Sequence, residues 1–88
     1  MELEQLRIFL AVAETGSFTK GAGKLYISHS TTSRAVSALE DELGVRLFER
    51  GNRIFSLTEA GERLRLGAEE LLAAEEKIKN EVKETHQG

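Results

Sequence analysis

Between Ser28 and Ser37 the chain carries hydroxyls at Ser28, Ser30, Thr31, Thr32, Ser33 and Ser37, together with one imidazole, His29, and one guanidinium, Arg34. Short hydroxyl side chains donate and accept hydrogen bonds while keeping a surface low, and a guanidinium can pair with a guanine edge or a phosphate. This is the chemistry of recognition, not of bond making. Further cations stand at Lys20 and Lys24, one turn apart, and at Arg50 and Arg53, which flank Gly51-Asn52. An enzyme finds no support: there is no acid/base pair at a defined spacing, no nucleophile motif, no glycine-rich phosphate loop and no cysteine. Two distant histidines, His29 and His86, do not make a metal site. No cofactor is expected to be held by these residues.

A formal net charge of -3 is awkward for a surface meant to meet a polyanion. The distribution removes most of the conflict. From Gly16 to Leu39 the charged residues are Lys20, Lys24 and Arg34, all basic, and from Gly44 to Leu57 they are Arg46, Arg50 and Arg53 against Glu49 alone. After Thr58, Arg63, Arg65, Lys77, Lys79 and Lys83 face eight glutamates. A neutral-to-basic head thus precedes an acidic tail.

The elements that must position these groups follow from periodicity. Leu3, Leu6, Phe9, Leu10 and Ala13 share one face of a first helix that stops at Thr15-Gly16. Ser17 caps a second, short helix with Phe18, Ala22 and Leu25 inward; Gly21 and Gly23 weaken it and are expected to allow another backbone to approach. Tyr26-Ile27-Ser28 is a turn. Ser28 or a neighbour caps a third helix whose stripe is Thr32, Val36, Leu39 and Leu43, ending at Gly44. Two short runs rich in β-branched and aromatic residues, Val45 to Phe48 and Ile54 to Leu57, enclose a Gly-Asn turn and read as a β-hairpin. Thr58 caps a last helix reaching to about Glu84, with Leu64, Ala68, Leu71, Ile78 and Val82 on a narrow apolar seam.

With 88 residues the chain fits one small core. A helix of about 25 residues, roughly 37 Å long, outruns that core, so its seam is expected to pack on a second copy. No apolar run approaches the roughly 20 residues that cross a bilayer, and Met1-Glu2-Leu3-Glu4 lacks the basic start of a secretory signal. A soluble, cytoplasmic protein with no membrane partner is the expectation.

Three helices followed by a hairpin is the arrangement in which the third helix enters the major groove of DNA and the hairpin, or wing, reaches the adjacent groove. The predicted fold is therefore mainly α, a winged helix-turn-helix over residues 1–57 with the helix-turn-helix at about 18–37 and the wing at about 45–57, followed by a linker helix over 58–88. With the stripe of helix three turned inward, Ser30, Thr31, Ser33, Arg34, Ser37, Ala38 and Asp41 face out, and Glu40, Asp41 and Glu42 sit at the end away from DNA. The candidate DNA contacts are Lys20, Ser28, His29, Ser30, Thr31, Ser33, Arg34 and Ser37, with Arg50 on a phosphate and Arg53 in the minor groove. The competing readings are a flexible polar loop for Ser28 to Ser33, a capping or surface role for His29, and solvated charges for the lysines and the hairpin tip. A module that dimerises or binds protein without DNA is the alternative function.

Gly16-Ser17-Phe18-Thr19, Ala22, Leu25, Ser28, Ser33, Leu39-Glu40, Leu43-Gly44, Leu47-Phe48, Arg50, Arg53, Leu57-Thr58 and Ala60-Gly61 together resemble the N-terminal domain of LysR-type transcriptional regulators, from Leu3 to Gly61. The resemblance implies sequence-specific binding to double-stranded DNA, dimers whose linker helices pack antiparallel, and inverted half-sites. It implies further a C-terminal effector-binding domain that senses a small molecule and builds tetramers. N-terminal domains of molybdate-responsive regulators are a near relative within winged helices. The chain departs from the family where His29 replaces a common Gln, where Ser30 and Thr31 replace Pro or Ala, where Thr32 replaces an aliphatic residue, and at Gly21 and Gly23. Operator preference therefore does not transfer.

Overall fold

The computed structural model describes residues 1–51 and 55–87. Four helices follow one another: α1 (Leu3–Thr15), α2 (Phe18–Leu25), α3 (His29–Leu43) and α4 (Glu59–Gln87). Each boundary has a chemical cause. The Gln5 side chain reaches back to the Glu2 amide at 2.8 Å, and Gly16, at φ 71°, closes α1 with its amide on the Val12 carbonyl. Ser17 Oγ accepts from the Lys20 amide, Ser28 Oγ from the Thr31 amide and Thr58 Oγ1 from the Gly61 amide, so a hydroxyl starts each of α2, α3 and α4.

The core lies where α1 meets the other elements. Leu6, Phe9, Leu10 and Val12 of α1 pack with Val36 and Leu39 of α3, Leu47 and Phe48 of the following segment, and Ala68 of α4. Phe48 is its aromatic centre, with ring centroids 5.4 Å from Phe9, 5.5 Å from Phe18 and 5.0 Å from Phe55. That cluster joins α1, α2 and both roots of the wing, which fixes the wing relative to the helices.

Two glycines are packing devices. A Cβ on Gly21 would stand 2.9 Å from Val12, so α2 lies directly on α1 there; a Cβ on Gly61 would stand 2.1 Å from the Leu47 carbonyl oxygen, so the first turn of α4 lies on the wing root. Gly23 meets nothing within 4 Å, contrary to the expectation that both glycines of α2 serve close approach.

Between α3 and α4 lies the segment predicted to form the wing. Among the described residues its stem is one antiparallel bridge, Phe48 to Leu57, flanked by Glu49 N–H to the Ser56 carbonyl at 2.9 Å and Thr58 N–H to the Leu47 carbonyl at 3.0 Å. Asn52, Arg53 and Ile54, at the predicted tip, lie outside the described residues.

Two apolar assignments also change. Leu43 closes the stripe of α3 by sequence but is 42% exposed, because the core ends one turn earlier, at Leu39. In α4, Ala68 is fully buried and Leu64 packs against the same core, whereas Leu71, Ile78 and Val82 are exposed. Two of the five seam residues therefore serve the chain's own interior. The helix, at 29 residues about 43 Å long, projects beyond it. Among the described residues no helix is long and apolar enough to cross a membrane.

Candidate nucleic-acid interface

Helix α3 buries one edge and exposes another. Its buried edge is Thr32, Val36 and Leu39, and the Thr32 hydroxyl is satisfied by donating to the Ser28 carbonyl at 3.0 Å. A threonine therefore stands in an apolar stripe without an unpaired group. His29, Ser30, Thr31, Arg34 and Ser37 are exposed and Ser33 is half-buried. Among the described residues, Ser30, Ser33, Ser37 and Arg34 make no hydrogen bond or ion pair within the chain, so their polar atoms are available.

Ser28 and Thr31 are engaged differently. Ser28 Oγ accepts from the Thr31 amide at 3.0 Å and its hydroxyl donates to Thr31 Oγ1 at 2.9 Å. Both hydroxyls serve first to hold the start of α3. No acid occupies that first turn, so the positive end of the helix dipole faces outward unneutralised. The His29 ring lies 6.2 Å, centroid to centroid, from Phe18, which ties the first residue of α3 to α2.

The cations divide into free and engaged. Lys20, on the exposed side of α2, and Arg34 make no ion pair among the described residues. Lys24, one turn from Lys20, pairs with Glu14 of α1 at 2.5 Å. Arg50 is exposed at the wing root, but its Nη2 donates to Glu40 Oε1 at 2.8 Å. Arg53 lies outside the described residues.

Three features are absent from the sequence reading. Glu40, grouped by sequence with Asp41 and Glu42 at the end of α3 away from DNA, is buried and accepts from both Arg50 and the Leu47 amide. Its partners are seven and ten positions away, beyond any helical spacing, so periodicity gives no sign of them. Arg46, 3.7 Å from the same carboxylate, joins them for the same reason. Tyr26 holds a left-handed conformation at φ 58° and is 95% exposed in the turn between α2 and α3. The turn itself was legible; a bulky side chain in that conformation has no sequence signature.

The proposed pairing residues fall on both sides of the core boundary. Leu64 and Ala68 face the interior, while Leu71, Ile78 and Val82 present apolar surface beyond it. The direction of α4 is held by Arg7 of α1, which donates to Glu75.

Comparison with known proteins agrees with this geometry. A family model described as bacterial regulatory helix-turn-helix protein, lysR family, matches residues 3–62. The chain is 40% identical to the HTH-type transcriptional regulator IlvY of Escherichia coli (strain K12) over 82 residues, which cover 93% of this chain and 28% of that protein. It is 58% identical to a probable nitrogen assimilation transcriptional activator of Synechococcus elongatus over 64 residues, 73% of this chain and 20% of the relative. The chain therefore spans less than a third of either relative. Among solved structures, BenM_DBD in complex with catB site 1 DNA superposes with a TM-score of 0.95 at 41% identity, covering 100% of this chain and 99% of that one. The CbnR_DBD–DNA complex gives 0.89 at 35% identity over 97% and 98%. Full-length BenM gives 0.89 at 42% identity over 94% of this chain and 27% of that one.

Proposed function

The chain belongs to the LysR family of bacterial regulatory helix-turn-helix proteins, whose relatives here are transcriptional regulators and not enzymes, and from that premise we propose how it reads DNA. Helix α3 enters the major groove with Ser30, Ser33, Arg34 and Ser37 toward the base edges, and with Ser28, His29 and Thr31 at the inserted end. Lys20 neutralises a phosphate, Arg50 holds another beside the wing, and Arg53 enters the minor groove. Two copies pair through α4 by Leu71, Ile78 and Val82, so that two half-sites are read in inverted orientation. In the longer protein a small-molecule effector, bound by residues outside these 88, sets the activity, and dimers associate into tetramers. The place of work is the bacterial cytoplasm, at the nucleoid.

One observation carries this reading: the outward face of α3 from Ser28 to Ser37 is acid-free, with Arg34 and three hydroxyls unpaired, in a chain that superposes along its whole length on a domain solved with DNA. The acidic surplus that favoured a module without DNA binding lies on α4, away from that face.

The test is Arg34→Ala on a duplex selected from a random pool and on random duplex. Loss of a base contact costs about 1–3 kcal/mol on the selected duplex, a 5- to 150-fold weakening, and much less on random DNA. Equal losses on both reduce Arg34 to a phosphate contact. Absence of salt-dependent retention on any duplex contradicts the reading altogether.

A further inference from the structure

Two arginines near the wing are held by one buried acid. Glu40 of α3 is 7% exposed, and both of its carboxylate oxygens are engaged. Oε2 accepts from the Leu47 amide at 2.8 Å; Oε1 accepts from Arg50 Nη2 at 2.8 Å and stands 3.7 Å from Arg46 Nη1. The guanidiniums sit at the rim, with the Arg50 side chain 45% and the Arg46 side chain 68% exposed, so solvent and phosphate can reach them while the carboxylate stays inside.

The acid cannot follow its partners outward. Leu47 is fully buried and its amide is bound to Glu40, while its carbonyl accepts from Thr58 and lies against Gly61. Glu40 is thereby fixed between α3, the wing root and the start of α4. An arginine that turns from it to a DNA phosphate leaves a buried charge with less compensation, which offsets the gain from the new contact.

We propose that Glu40 is a positioning residue for DNA specificity: an internal counter-ion that withholds Arg50 and Arg46 from arbitrary phosphates and releases Arg50 only on a site whose other contacts offset the loss. The proposal rests on the DNA-binding reading above. Lys20, which has no such partner among the described residues, then supplies sequence-independent attraction, and the operator gains the wing arginine in addition.

The test is Glu40→Gln in the 88-residue chain, which keeps an acceptor for the Leu47 amide and removes the charge. Binding to a labelled random duplex is read by fluorescence anisotropy across a salt series, with thermal unfolding followed by circular dichroism. The expected result is random-duplex affinity raised 3- to 10-fold and a log K against log salt slope steeper by about 1 to 2, since each recruited phosphate contributes about 0.9. The gain shrinks in Glu40→Gln combined with Arg50→Gln. Asp41→Asn, which removes an exposed neighbouring acid with no ion pair among the described residues, controls for net charge and leaves the slope unchanged. An unchanged slope in Glu40→Gln, or the same gain in Asp41→Asn, overturns the proposal and leaves the DNA-binding reading standing. A wild-type chain that retains no duplex at low salt overturns both. Should Glu40→Gln not fold, the wild type decides by NMR. The Arg50 Nε–H signal stays in place on addition of random duplex and moves on the selected duplex; movement on both overturns the proposal.

Discussion

Helices α3 and α4 each bury one edge in the same core and expose another, and the two exposed edges have opposite character. That of α3 carries hydroxyls and an arginine unpaired among the described residues, with no acid from Ser28 to Ser37. That of α4 carries a surplus of glutamates, two of its cations paired locally, Arg65 on Glu62 at 3.0 Å and Lys79 near Glu75 at 4.0 Å, around the exposed Leu71, Ile78 and Val82. A surface whose polar groups are unsatisfied is ready for a polar partner. A surface whose large apolar residues are bare is ready for another apolar surface. Under the proposed function, two amphipathic helices on one core divide the work by what each leaves exposed.

The largest expected effect lies on α4. Leu71→Glu, Ile78→Glu and Val82→Glu together weaken self-association at least 100-fold, since each buried side chain of this size contributes about 1.5 kcal/mol or more. Sedimentation at matched concentrations reads this, and the monomer's circular dichroism stays that of the wild type. Ala68→Glu, on the same helix but fully buried, instead unfolds the chain. If the triple variant still sediments as the wild type does, α4 is not the pairing surface.

Next in size comes a contrast within the basic head. Lys20→Ala lowers affinity for selected and random duplexes alike, about 3-fold, and flattens the salt slope by about 0.9. Lys24→Ala moves the slope by less, because that ammonium already faces Glu14. Equal slopes for the two variants would show that the Glu14 pair does not outlast contact with DNA.

The smallest effect is on pH. The Met1 ammonium is held above its ordinary value of 8.0, first by its hydrogen bond to Glu42. A group whose value is raised on folding stabilises the fold below its unfolded value and loses that contribution as pH rises through the folded one. Thermal unfolding temperature therefore falls slightly above pH 8 in the wild type, and this part of the fall is absent in Glu42→Gln. The same fall in both removes the pair from the account.

Much of the fold was legible because helix ends and faces are local properties. Gly16, Ser17, Ser28, Gly44 and Thr58 mark their boundaries by chemistry that needs no distant partner. What the sequence hid was tertiary. Glu40 reads as one of three acids until the chain after Gly44 turns back and brings the Leu47 amide to it. Ala68 reads as part of a pairing seam until the core is seen to reach it, and Leu43 as core until the core is seen to end before it. Gly61 shows the converse: a helix-weakening residue by propensity, required because the Leu47 carbonyl occupies the space of a Cβ. Of the candidate site, the exposed face of α3 followed from periodicity alone, whereas the division of the cations into free and engaged did not.

The central claim, that α3 reads DNA and α4 does not, is tested most directly by amide NMR on the wild-type chain titrated with a duplex carrying two inverted copies of a selected half-site. The account predicts shifts and slowed exchange at Lys20, from Ser28 to Ser37 and around the wing, with residues from Leu71 to Glu84 unmoved. Shifts concentrated along α4, or a silent α3 while the duplex is bound, would contradict it.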